Sequence, residues 1–151
     1  MLKIKDLSTT FFTRRGMIKA VEGLSLGFKE GEVLGLVGES GCGKSVTMLS
    51  ILRLVPYPGK ITVGKIWFQG ENLLEKSSKE MRNIRGSKIS MIFQDPMSTL
   101  NPVFRVGEQI RESLRVHNYE RLPRKAEKEK ILRLLENVEL PSPEQICLQY
   151  P

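Results

Sequence analysis

The sequence predicts an α/β fold in which a buried strand feeds a glycine-rich turn that opens a helix, with antiparallel strands ahead of it and helices behind. Three observations carry this. Residues 38–45 read GESGCGKS, a complete match to GxxxxGKS/T. The run EVLGLV at 32–37 leads straight into them and is nearly all apolar, as a strand buried on both faces of a sheet must be. The stretch VTMLSILRL follows at once and is helix-like.

Upstream, LKIKDL at 2–7 alternates apolar and polar residues as a half-buried strand does, and Ala20 to Phe28 alternates again before the turn Lys29-Glu30-Gly31. Downstream, the helix opening at Lys44 is expected to run to Leu54 and to stop before Pro56 and Pro58, which cannot continue it. ITVGKIWFQG reads as one or two strands closing at Gly70, KSSKEMRNIR at 76–85 as a helix, and KISMIFQ at 88–94 as a second buried strand. From Asp95 the character changes, since DPMSTLNP carries two prolines and Asn101 and is a loop. Two helical patterns follow, with Val106, Ile110 and Leu114 on one face of the first and Ile131, Leu135 and Val138 on one face of the second. Pro141 to Pro151 reads as a loop and a short helix.

With 151 residues, 40% of them hydrophobic and 27% charged, the chain can bury one core. No apolar stretch approaches the roughly 20 residues of a membrane helix, and MLKIKDLSTTFF has no secretory h-region, so a cytoplasmic location is expected. Cys42 and Cys147 lie far apart without metal-ligand spacing. Cys42 is read as a small loop residue whose side chain points away, in preference to a thiol tuned by Lys44 for redox sensing. His117 has no acidic or cysteine partner at ligand spacing and is read as facing solvent. The net charge of +7, from 24 Lys plus Arg against 17 Asp plus Glu, is scattered. Its densest run, RLPRKAEKEK at 121–130, is expected to be a solvated helix face with the pairs Glu120–Arg124 and Glu129–Arg133. No aromatic residue interrupts that run to stack bases, so nucleic acid is not expected as a partner.

The chemistry of the loop follows from its parts. A strand, a glycine turn and a helix start aim unpaired N–H groups and the positive end of the helix dipole at one point, which suits an anion. Gly38, Gly41 and Gly43 allow backbone to approach phosphate closely. Lys44 would reach the β- and γ-phosphates, and the Ser45 hydroxyl would coordinate Mg²⁺. Glu39, Ser40, Cys42 and Val46 complete the expected phosphate-loop set.

GESGCGKS, together with RGSKISMIFQDPMSTLNPVFRVGEQI at 85–110, resembles the nucleotide-binding subunit of ATP-binding cassette transporters, in particular the oligopeptide and dipeptide importer branch. The likeness runs along nearly the whole chain. It implies a P-loop NTPase core with an antiparallel β subdomain over residues 1–94, then a Q-loop and the start of a helical subdomain over 95–151. It implies ATP and Mg²⁺ as cofactors and makes Gln94 the Q-loop glutamine, catalytic with Lys44 and sharing the metal with Ser45. An amide suits that work, being neutral and able to accept and donate at once; the plainer reading of Gln94 is a polar cap on a strand end. Phe11 matches the place where the family stacks a ring on adenine, although Phe12 is adjacent and either ring could be core packing. Ser98 to Arg105 match the segment that docks on the membrane subunit. Implied partners are integral-membrane permease subunits, a second ATP-binding subunit and, indirectly, an extracytoplasmic substrate-binding protein, at the cytoplasmic face of the membrane.

The resemblance also implies a longer protein. The signature motif, the Walker B aspartate with its glutamate and the switch histidine are absent from these residues, so the fold is expected to be incomplete at the C-terminus and the 151 residues are expected to bind nucleotide without turning it over. Three functions are therefore weighed: an ATPase subunit powering solute import, most simply peptide; a nucleotide-binding module without catalysis; and a phosphate-loop protein acting on nucleic acid, which draws only on the charge.

Overall fold

The structure is a computed structural model that describes every residue except 96–98 and 118–121. The chain divides into two compact units, Met1–Ile89 and Ser90–Pro151.

The first unit is a four-stranded antiparallel sheet with two helices on one face. Strand β1 (Leu2–Thr13) pairs with β2 (Gly16–Phe28) on one side and β3 (Gly59–Phe68) on the other, and the short β4 (Glu71–Asn72) adds to β3, giving the order β2-β1-β3-β4. Alternation sets the faces: Leu2 and Ile4 point into the core while Lys3 and Lys5 point outward. Both ladders slip at the middle of β1, where Asp6 has φ +51°, and this bulge keeps Leu7 fully buried. Helix α1 (Lys44–Ile51) and helix α2 (Ser78–Ile84) close the core, which joins Leu2, Ile4, Leu7, Val21, Ile51, Ile66, Leu73, Met81 and Ile84.

Helix α2 begins in a capping box: the Ser77 hydroxyl accepts from the Glu80 amide, and the Glu80 carboxylate accepts from the Ser77 amide at 2.7 Å. Arg85, just past its end, donates from Nε to Leu52 O at 2.8 Å and from Nη2 to Arg53 O at 3.2 Å. The two helix ends are thereby tied together. Helix α1 stops at Ile51, three residues before the expected Leu54, because Arg53 turns left-handed (φ +52°) and Leu54 N bonds back to Leu49 O at 2.8 Å. The prolines come too late to be the terminator.

Two expected strands are absent. Residues 32–37 form no ladder, and Val33 and Val37 stand 96% and 95% exposed. Residues 88–94 form no strand either: a single bridge joins Arg85 to Ile89, and Ile92 is 94% exposed. Parallel strands are found buried between neighbours, and beyond the bridge at Ile89 no ladder among the described residues includes these two segments. The expected strands at 2–7 and 20–28 are instead longer than read.

In the second unit, α3 (Val106–His117), α4 (Arg124–Asn137) and α5 (Pro143–Leu148) pack together. Gly107 of α3 touches α5: a Cβ there would lie 2.9 Å from Cys147 O, and Val106 N donates to Gln149 O at 3.0 Å. Ile131 and Leu135 are buried as expected; Val138 lies beyond the helix and is exposed. The expectation of a solvated face for 121–130 needs one correction, at Glu127. This residue is only 5% exposed and accepts from Arg115 Nε and Nη2 at 2.8 and 3.0 Å, with Arg111 at 3.7 Å. The guanidinium holds its carboxyl below the usual carboxylate range. Among the described residues Glu129 and Arg133 form no ion pair. Glu120 lies outside the described residues.

Candidate functional site

The loop at 38–45 is shaped by its glycines and by the sheet beneath it. Gly41 and Gly43 have φ of +83° and +95°, conformations that only glycine adopts without strain. Gly43 is also the N-cap of α1, and its Cα rests on β2 so closely that a Cβ would fall 2.3 Å from Ala20 O. Thr47 reinforces this start, donating its amide (2.8 Å) and its hydroxyl (3.0 Å) to Gly43 O. No side chain caps α1, so the first-turn amides remain directed out of the helix end.

Lys44 folds over the loop. Its Nζ donates to Gly38 O at 2.6 Å, Glu39 O at 2.7 Å and Cys42 Sγ at 3.3 Å. One ammonium thus spans the turn and places positive charge on the loop ahead of the uncapped helix start. Cys42 is exposed, but its sulfur does not point away from the loop as expected: it lies over Gly38, where a Cβ would meet it at 2.6 Å. Ser45 is exposed and Val46 half-buried at the mouth of the helix. Among the described residues there is no cluster of His, Cys, Asp or Glu able to hold a metal. A single hydroxyl beside an anion cradle fits Mg²⁺, which carries most of its shell as water and phosphate oxygen.

Two further residues sit behind the loop. Thr9 and Ser50 are both fully buried, with their hydroxyls 2.9 Å apart, and Ser50 Oγ donates to Val46 O at 2.7 Å. They escaped the reading of the sequence, whose only signal was a threonine at an inward position of β1.

The structure treats the remaining expected residues differently. Phe11 is half-buried, its ring against Gly59, where a Cβ would meet Cε1 at 2.7 Å and Val55 Cγ1 at 2.6 Å. Phe12 is 44% exposed. Gln94 belongs to the second unit and sits exposed at a bend; with no strand at 88–94, it caps none. Ser98 lies outside the described residues, whereas Arg105 stacks over Tyr150 with its guanidinium 5.8 Å from the ring centre.

Comparison with known proteins agrees with this geometry. The chain is 47% identical over its whole length to a probable peptide ABC transporter ATP-binding protein of Sinorhizobium fredii, covering 45% of that protein. It is 45% identical to the oligopeptide transport ATP-binding protein of Bacillus subtilis, covering 42%. It therefore spans about half the length of the curated relatives it matches. Among solved structures it superposes on the dimeric bacterial ABC transporter cassette MJ0796 with a TM-score of 0.87 at 25% identity, covering all of this chain and 62% of that one. The same cassette has been solved in a post-hydrolysis state bound to ADP and Pi, with the same score. The family model for ABC transporters matches residues 21–149, and the chain belongs to the ABC transporter family.

Proposed function

We propose that the chain is the ATP-binding part of a subunit that couples ATP binding and hydrolysis to import of a solute, most simply a peptide, through a membrane permease. The observation that carries this is the Lys44 ammonium drawn across a glycine loop at an uncapped helix start. Such a site suits the triphosphate of a nucleotide, because amides, dipole and ammonium all favour negative charge at one point. Gly38, Glu39, Ser40, Gly41, Cys42 and Gly43 form the cradle, Lys44 exchanges its carbonyl partners for phosphate oxygens, and Ser45 and Val46 offer first-turn amides. Ser45 and Gln94 would hold Mg²⁺, which when bound neutralises charge on the β- and γ-phosphates. Phe11 is proposed to stack its ring on adenine. The peptide assignment, the permease, a second ATP-binding subunit and the indirect binding-protein partner all rest on the 40–47% identity to peptide, oligopeptide and dipeptide transport proteins. So does the peripheral placement at the cytoplasmic face; among the described residues no helix is long and apolar enough to cross a membrane.

Calorimetric titration with MgATP tests the site. Charged hydrogen bonds contribute about 1.5–3 kcal/mol each, so Lys44→Ala is expected to weaken binding at least tenfold. Equal binding by the wild type and Lys44→Ala would refute the site. For these 151 residues taken alone, a second reading is a binding module without turnover, since hydrolysis needs a water oriented by a base as well as the groups that Lys44, Ser45 and Gln94 supply. Steady-state phosphate release that vanishes in Lys44→Ala would sink that second reading.

A further inference from the structure

Helix α1 meets the antiparallel sheet at two points. The first is its N-cap, where Gly43 rests on the Ala20 carbonyl of β2. The second lies nearly two turns further on, where Ser50 meets Thr9 of β1. Because the Ser50 hydroxyl hydrogen is committed to Val46 O at 2.7 Å, Thr9 Oγ1 is the donor in the 2.9 Å bond to Ser50. A continuous chain therefore runs from Thr9 through Ser50 to the carbonyl of Val46, in the first turn of the helix. Both hydroxyls are fully buried, so water cannot replace either partner.

We propose that Thr9 is a positioning residue for the phosphate loop, acting through Ser50 to hold the first turn of α1 at the angle from which its amides meet an anion. Its geometric part stands on the hydrogen bonds alone; its consequence for nucleotide rests on the function proposed above. Thr9 has no path of its own to a ligand, being sealed beneath the helix. The bond adds a directional contact at a defined register to the apolar packing of α1 on the sheet.

The test compares Thr9→Val, which keeps the shape and deletes the hydroxyl, with Thr9→Ser, which keeps the hydroxyl, both in the protein at its natural length. Ile66→Val, one methylene lost from the same core, controls for general destabilisation. Amide hydrogen exchange without nucleotide is read at Thr47, whose N–H bonds to Gly43 O. MgATP affinity is read in parallel. The expected result is exchange at Thr47 faster in Thr9→Val by more than in Ile66→Val, with affinity about fivefold weaker, and both restored in Thr9→Ser. Unchanged exchange in Thr9→Val, a Thr9→Ser variant as impaired as Thr9→Val, or an Ile66→Val variant equally impaired would each overturn the proposal. If the wild type does not bind MgATP, the nucleotide reading falls, and the exchange data still decide whether Thr9 positions the helix.

Discussion

Replacing Gly43 with alanine perturbs the loop in two ways that the structure separates. At φ +95° an L-residue carries the left-handed penalty of about 1–2 kcal/mol. The new Cβ also falls 2.3 Å from the Ala20 carbonyl oxygen, a backbone atom that cannot rotate aside, so strand and helix must part. Overpacking of that kind costs about 1–3 kcal/mol. The expected total is about 2–5 kcal/mol, a large share of the 5–15 kcal/mol typical of a domain. Gly41→Ala is the internal control: its φ of +83° incurs the same conformational penalty, but nothing lies within 4 Å of its Cβ. The difference between the two variants, about 1–3 kcal/mol, isolates the contact with Ala20. Urea unfolding followed by the fluorescence of Trp67, the single tryptophan, reads the first unit directly, because Trp67 lies on β3 of the same sheet. With urea slopes of about 1–3 kcal/mol/M for small domains, the midpoints should differ by roughly 1 M. Indistinguishable midpoints for Gly41→Ala and Gly43→Ala would show that the loop does not rest on β2, and the account of how the helix start is fixed would be wrong.

Three further outcomes are expected. Ser77→Ala deletes the capping box of α2 and should lower stability by about 1 kcal/mol in the same urea assay. Met81→Ala empties a fully buried site in the first core and should cost about 2–5 kcal/mol, with the loss moderated wherever Ile84 and Leu73 can collapse inward. Acidification should loosen the second unit: the Arg115 guanidinium depresses the carboxyl of Glu127, so its stabilisation is complete above the ordinary carboxylate range and is lost as pH falls through the lowered value. Amide exchange in α4 should therefore quicken below about pH 4, and Glu127→Gln should exchange faster at neutral pH while losing that acid dependence.

What was legible in the sequence was local, and what was not depended on partners. The glycine loop declared itself because its chemistry is contiguous: Gly38, Gly43, Lys44 and Ser45 sit within eight residues, and the structure brings the lysine onto the loop's own carbonyls. Strands β1 and β2 were legible because a half-buried antiparallel strand writes its alternation into its own residues. EVLGLV and KISMIFQ were misread for the converse reason. An apolar run records that a segment can be buried, but whether it forms a ladder depends on neighbours elsewhere in the chain. The burial of Glu127 was hidden within a charged run, since nothing in RKAEKEK distinguishes the one carboxylate that faces Arg115 from those that face water.

The same distinction bears on how the site holds its shape. A cradle built from consecutive residues could be assembled by any chain that carries the motif, but its aim relative to the rest of a nucleotide is a tertiary property. Here that aim is supplied by residues with no place in the motif, the carbonyl of Ala20 and the hydroxyls of Thr9 and Ser50. Thr9 lies on β1, which also carries Phe11, and Ala20 lies on β2, its partner in the ladder. A shift of β1 would therefore move the proposed adenine-side ring together with Thr9, while Gly43 stays seated on β2. In an antiparallel sheet such a shift requires a register change of a strand bonded on both edges, which flips every inward residue outward. The sheet thus bears on the span between the two ends of the proposed site, and substitutions at Thr9 should disturb that span more than equally destabilising substitutions on β3 or β4.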